Sequence, residues 1–229
     1  RQGWRRADPE AQRRMKVALV GSAWWLTTCL LSTYCSGAFL LQFGSPAALT
    51  AVRFAGSALL GLGMNALAPE KSRVPWGRLG HYMRALKVPS ACLLMANFLN
   101  SVSMGASGIT LPYVLKSAIP VFTVIICRAV FKERYTVAVY ASLVPTVAGV
   151  ALASFADSDC NALGLGAAVG SALAQTALNI TSKPCIKRSG LSGTQAQTIM
   201  ALTSSLAMVP GAVVALAVGG AGGSAAGGA

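Results

Sequence analysis

Ile109-Thr110-Leu111-Pro112-Tyr113-Val114-Leu115-Lys116-Ser117-Ala118-Ile119-Pro120-Val121-Phe122-Thr123-Val124-Ile125-Ile126 is long enough to cross a bilayer, and it contains one charge, Lys116, between two prolines. At about 1.5 Å per residue the lysine is rooted roughly 10 Å inside the run. A hydrocarbon core is about 30 Å thick, so reaching either surface strains the side chain. An unpaired lysine at that depth costs on the order of 3 kcal/mol even on the lenient insertion scale. The chain has six acidic residues, and none lies within an apolar segment. No carboxylate is therefore placed to neutralise Lys116 in the membrane, and an anionic ligand that visits it is the best explanation.

The composition agrees with a membrane setting. Hydrophobic residues make up 54% of 229 and charged residues 11%, with a mean hydropathy of +0.59. Soluble domains carry about a quarter charged residues. Long apolar runs in lipid satisfy their backbones as helices, so the fold class is an all-α membrane protein. Seven apolar segments are expected, at 17–41, 46–69, 89–105, 109–131, 136–155, 162–182 and 197–218. The glycine, alanine and serine stretch from Gly219 reads as a flexible tail. The six cysteines form no CxxC pair and lie mostly in or beside apolar segments, so neither a disulfide framework nor a metal site follows. His81 falls in a stretch read as a polar loop.

Net charge is +13. There is no basic-aromatic patch on a soluble face, so nucleic acid is not expected as a partner. The charge instead fills alternate gaps. Arg1, Arg5, Arg6, Arg13, Arg14 and Lys16 precede the first segment. Lys71, Arg73, Arg78, Arg84 and Lys87 follow the second. Arg128, Lys132 and Arg134 follow the fourth, and Lys183, Lys187 and Arg188 the sixth. The gaps between carry no lysine or arginine, and one holds Asp157 and Asp159. The positive-inside rule then puts the N-terminus and these basic loops in the cytosol. Lys116 and Arg53 alone escape the alternation.

Gly21-Ser22-Ala23 with Thr27 recurs as Gly170-Ser171-Ala172 with Thr176, on segments that run in opposite directions. That fits inverted five-helix repeats, although Gly/Ala-rich helices also resemble one another by chance. The expected organisation is a basic cytosolic tail at 1–16, a first repeat at 17–155, the start of a second at 162–218 and the tail at 219–229. The opening arginine reads as a fragment or processed form, truncated to about seven transmembrane helices. Arg1 to Arg6 does not by itself make a signal or transit peptide.

Pro112 and Pro120 lie four residues either side of Lys116, and each is expected to free a carbonyl and kink the helix. A broken helix carrying a cation is how transporters expose polar groups at mid-membrane; a packing kink with the lysine bonded to loose carbonyls is the alternative. Asn97 and Asn100, three apart, are expected on one helix face, as substrate ligands or as interhelical hydrogen bonds. Tyr113 is one turn before Lys116. Arg53 lies about 10 Å from the non-cytosolic end of its segment, either to bind an anion or to snorkel outward. Gly166 and Gly170 read as a helix-packing pair. No carboxylate pair, HExxH, GxSxG or Ser/His couple lies at membrane depth, so no enzyme and no cofactor is expected. Proton- or sodium-coupled symport commonly uses intramembrane carboxylates, which are lacking.

The stretch from Asn97 to Lys183 resembles the triose-phosphate and nucleotide-sugar translocators of the drug/metabolite transporter superfamily. The resemblance is carried by Asn100-x-Ser-x-Ser103, Leu115-Lys116-Ser117-Ala118-Ile119-Pro120-Val121-Phe122-Thr123-Val124, Phe131-Lys132-Glu133-Arg134, Ser142 to Ser154 and Asn179-Ile180-Thr181-Ser182-Lys183. It implies ten helices in two inverted five-helix repeats and the exchange of phosphorylated sugars, related phosphorylated metabolites or nucleotide sugars. It also implies that Lys116 binds substrate phosphate. Plastid members have a histidine at the position of Asn97, and an Asn-Lys pair late in the first helix is here Ser36-Gly37.

The expected activity is thus an antiporter across an organelle membrane, Golgi or ER first and the plastid inner envelope second. Its partners would be a phosphorylated small-molecule substrate and counter-substrate and membrane lipid, with a homodimer left open. An exporter of uncharged metabolites and a non-transporting scaffold are the competing readings.

Overall fold

The computed structural model describes residues 9–69, 73–74, 76–156 and 161–223. Arg1, Arg5, Arg6, Lys71, the acidic loop Asp157 to Cys160 and the tail at 224–229 lie outside the described residues. Nine α-helices are described: α1 (Pro9–Phe43), α2 (Pro46–Leu67), α3 (Leu79–Ala85), α4 (Lys87–Ser107), α5 (Thr110–Ser117), α6 (Ile119–Val130), α7 (Val137–Ala156), α8 (Ala162–Ser189) and α9 (Gly193–Gly223). Every expected apolar segment is helical. By length and composition, Met15–Phe43, α2 and α8 can each cross a membrane, and two bent pairs can do so as joined spans. The apolar stretch Val137–Ala153 of α7 is shorter. This is an all-α, multi-pass membrane protein.

Local sequence sets the boundaries. Ser45 caps α2, its hydroxyl accepting from the Ala48 amide with Pro46 at the helix start. Asn161 caps α8 by accepting from the Leu163 amide, and Gly190 closes α8 in the left-handed region. Ser192 and Gln195 exchange hydrogen bonds across the start of α9 as a capping box. That helix continues to Gly223, past the Gly219 at which composition marks a tail.

Two expectations are corrected here. His81 is not in a loop: it is exposed on the short helix α3, edge-on to Tyr82 at 5.8 Å. Helix α3, with its preceding 3-10 turn at Trp76–Arg78, meets α4 at 70° around the fully buried Leu86. Gly166 is not a packing residue either. A Cβ there would meet nothing, whereas one on Gly164 would collide with Ser107 Oγ and lie 2.7 Å from its Cβ. Gly164 is thus the close approach that lets α8 pack on the end of α4, and Gly170 faces Leu99.

Helices α2, α4, α8 and α9 form the core. At the end nearest the basic loops, Phe54, Leu86, Leu93, Leu178, Ile199 and Met200 form one buried cluster. Deeper, hydroxyls bond between helices: Thr50 Oγ1 to Ser101 Oγ at 3.0 Å, Ser103 Oγ to the Gly164 carbonyl at 2.8 Å and Ser171 Oγ to the Ala96 carbonyl at 2.8 Å. Lipid is as apolar as leucine, so small residues and such bonds, each about 0.6 kcal/mol, hold helices together. Most of the described side chains of α1 and α7 are exposed, as suits lipid-facing elements.

Candidate functional site

The run that holds Lys116 is broken as its prolines suggest, though only one of them breaks it. Helices α5 and α6 meet at 46° around Ala118. Pro120 stands in the first turn of α6, where its missing amide would otherwise have bonded the Lys116 carbonyl. The Ala118 amide instead donates to the Leu115 carbonyl at 3.1 Å, a tightened last turn. Pro112 does not kink a helix. It lies in the first turn of α5, and the carbonyl four residues before it is that of Gly108, already outside the helix with φ +75°.

Lys116 is half-buried, and its Nζ stands 4.9 Å from the centre of the Tyr113 ring. This is a cation–π distance. Among the described residues it bonds no carbonyl and meets no carboxylate, which counts against the packing-kink alternative. The second cation that escapes the alternation of charge is Arg53.

Arg53 turns inward, not outward to the surface. Its Nη2 donates to Ser36 Oγ at 2.6 Å. Ser36 is buried and gives its own proton to the Ser32 carbonyl, also at 2.6 Å, so its oxygen is left to accept. Thr33, one turn earlier on α1, is hydrogen-bonded to the Tyr113 hydroxyl at 3.0 Å. Next to Ser36, Gly37 admits Ile109, whose Cδ1 would clash with any Cβ there. That contact sets α1 against the residue from which α5 starts.

The depths agree. Ser36 lies seven residues before the end of α1, Arg53 seven after the start of α2 and Lys116 six after the start of α5. At about 1.5 Å per residue, all three lie roughly 10 Å from the same end of the bundle. Thr33, Ser36, Arg53, Tyr113 and Lys116 thus assemble two cations and three hydroxyls from three helices. The sequence points to Ser36 only as a departure from the family's Asn-Lys pair and not to Thr33; their spacing of three on one face of an apolar helix is the available signal.

Asn97 and Asn100 diverge from this cluster. Asn97, half-buried, donates to the Leu93 carbonyl of its own helix at 2.9 Å. Asn100 is 1% exposed; its amide nitrogen lies 3.4 Å from Met104 Sδ, and its amide oxygen has no partner among the described residues. Neither bonds Lys116, Arg53 or Tyr113.

Two unneutralised cations with hydroxyls between apolar helices can hold an anion, and the profile of the Triose-phosphate Transporter family matches residues 15–221. The chain belongs to that family. It is 24% identical over 205 residues to the glucose-6-phosphate/phosphate translocator 1, chloroplastic, of Arabidopsis thaliana, covering 89% of this chain and 52% of the relative. It is 29% identical over 121 residues to the phosphoenolpyruvate/phosphate translocator 2, chloroplastic, of the same plant, covering 52% and 32%. It is 26% identical over 199 residues to the triose phosphate/phosphate translocator, non-green plastid, chloroplastic, of Brassica oleracea var. botrytis, covering 86% and 48%. The chain therefore spans about half the length of these curated relatives or less.

Proposed function

We propose that this chain is part of an antiporter that exchanges phosphorylated metabolites across an organelle membrane, with Arg53 and Lys116 holding the substrate phosphate. The carrying observation is the constellation itself: Arg53 held inward by Ser36, and Lys116 over the Tyr113 ring whose hydroxyl meets Thr33, with no ion pair to either cation among the described residues. A phosphate monoester bears about −1.5 to −2 at pH 7, which matches both cations. Phosphate oxygens can also accept from the Tyr113 hydroxyl, which itself accepts from Thr33. The relatives carry names that pair a phosphorylated metabolite with phosphate, which supports exchange over one-way export.

Access would alternate by movement of inverted repeats about the site, with the 46° elbow at Ala118 as the bending element. Asn97 and Asn100 lie off the cation pair; a ligand role for them would lie with the non-phosphate part of the substrate. The relatives' chloroplastic names favour a plastid membrane over Golgi or ER.

The test is binding and counterflow in proteoliposomes. Inorganic phosphate and glucose 6-phosphate should raise the melting temperature of the wild-type chain, and internal phosphate should accelerate uptake of external labelled phosphate. Arg53→Gln or Lys116→Gln should each remove the phosphate-induced stabilisation. Stabilisation that survives both substitutions would overturn the reading.

A further inference from the structure

An apolar groove lies away from the cation pair, between α6 and α7. Helix α6 packs on α8, and α7 packs on α5. The sides that α6 and α7 turn to each other leave an open groove of about 470 Å³. Val121 and Ile125 form one wall and Val144, Val147 and Ala151 the other, with Tyr140 at the end beside the connecting loop. Ile125 is 57% exposed and Val144 65%, so the helix packing does not fill it.

The loop end has a different chemistry. Arg128 Nη1 donates to the Tyr140 hydroxyl at 3.0 Å, and its guanidinium stands 5.9 Å from the ring. One of five guanidinium donors is thereby used, and the exposed side chain keeps the rest. Lys132 and Arg134 follow in the loop, and Tyr135 donates its hydroxyl to Glu133, the one carboxylate there. Three cations against one carboxylate leave this end positive. From Tyr140 to Ala151 the groove runs eleven residues, about 16 Å at helical rise. That is close to half of a 30 Å hydrocarbon core, the depth of one leaflet.

We propose that the α6–α7 groove binds one anionic phospholipid of the leaflet beside the 131–136 loop, an acyl chain lying along Val144 and Val147 and the phosphate at Arg128. Basic pockets between transmembrane helices on the cytosolic side bind such headgroups, and an aromatic residue at headgroup depth suits the boundary. A second copy is the poorer occupant, because a symmetric pairing through this groove would bring two positive loops together. The site is independent of the Arg53–Lys116 pair.

Native mass spectrometry of the detergent-purified chain decides, with palmitoyl-oleoyl-phosphatidylglycerol and the matching phosphatidylcholine added in parallel. We expect one phosphatidylglycerol to be retained at least five-fold more than phosphatidylcholine. Val144→Trp, which fills the groove, should abolish retention of both. Arg128→Gln should remove the preference while leaving chain binding. Unchanged melting temperatures will show that both variants fold; should either unfold, Ala148→Leu and Lys132→Gln replace them with the same expectations. Equal retention of the two lipids, retention that ignores the groove-filling variant, or a dimer that this variant dissociates would each overturn the proposal.

Discussion

Arg53 on α2 donates to Ser36 on α1 at 2.6 Å, and the Ser36 proton is committed to the Ser32 carbonyl. The bond fixes the guanidinium inward at the depth of Lys116. Ser36→Ala would leave Arg53 without its partner. A loss on the order of 1 kcal/mol is expected, at the low end for a charged bond because Arg53 is half-buried. Thermal unfolding measures the loss. Phosphate-induced stabilisation should weaken with it, and Ser36→Thr should restore both.

Lys116→Ala should behave in the opposite way. Removing the ammonium takes an uncompensated charge out of an apolar run, so the melting temperature should stay level or rise while phosphate binding is lost. Lys116→Arg keeps the charge but exchanges a compact ammonium for a planar fork, so partial binding is expected. A destabilised Lys116→Ala that still gains stability from phosphate would sink the anchor role.

Gly164→Ala tests the packing of α8 on α4. The added Cβ would run into Ser107 Oγ and Cβ, and overpacking of this kind costs about 1–3 kcal/mol. Gly164→Ala combined with Ser107→Gly should recover part of the loss. Equal melting temperatures for wild type and the single variant would contradict the close approach.

Orientation rests on charge alone. Cys160 should react with a membrane-impermeant maleimide added from the non-cytosolic side, with Cys160→Ala as the control. Labelling only from the cytosolic side would reverse the assignment.

Tyr135 offers a pH readout outside the spans. Its hydrogen bond to the Glu133 carboxylate holds the phenol above its ordinary range. The folded value is raised, so the contribution to loop stability is fully present below the ordinary tyrosine range near 10 and is lost only as pH rises through the higher folded value. Ultraviolet titration of wild type against Tyr135→Phe should show one phenol ionising late; Glu133→Gln should bring it back toward normal.

The sequence carried those features that arise from neighbours along the chain. A lysine in an apolar run with Pro120 four residues on dictates a break by local chemistry, and the basic loops declare themselves by count. Features between helices were less accessible. Pro112 looked like a second kink because proline position within a helix cannot be judged until the helix start is known. The spacing of Gly166 and Gly170 suggests a packing pair, but spacing does not reveal which side of α8 meets α4, and the close approach falls at Gly164. The Arg53–Ser36 bond joins residues seventeen apart on two antiparallel elements, and only a counted depth on each would have paired them.

Ser103 of α4 bonds the Gly164 carbonyl of α8, and Ser171 of α8 bonds the Ala96 carbonyl of α4, so the two bonds stand seven residues apart along each helix. Two such stitches about 10 Å apart lock the register of the pair, since sliding by a residue breaks both together. Shear is thereby closed to α4 and α8, and they move as one strut. The elbow at Ala118 is the weaker point, since no amide from Pro120 ties the turn back to Lys116. Bending at that elbow would carry the turn that holds Lys116 while the α4–α8 pair keeps its register.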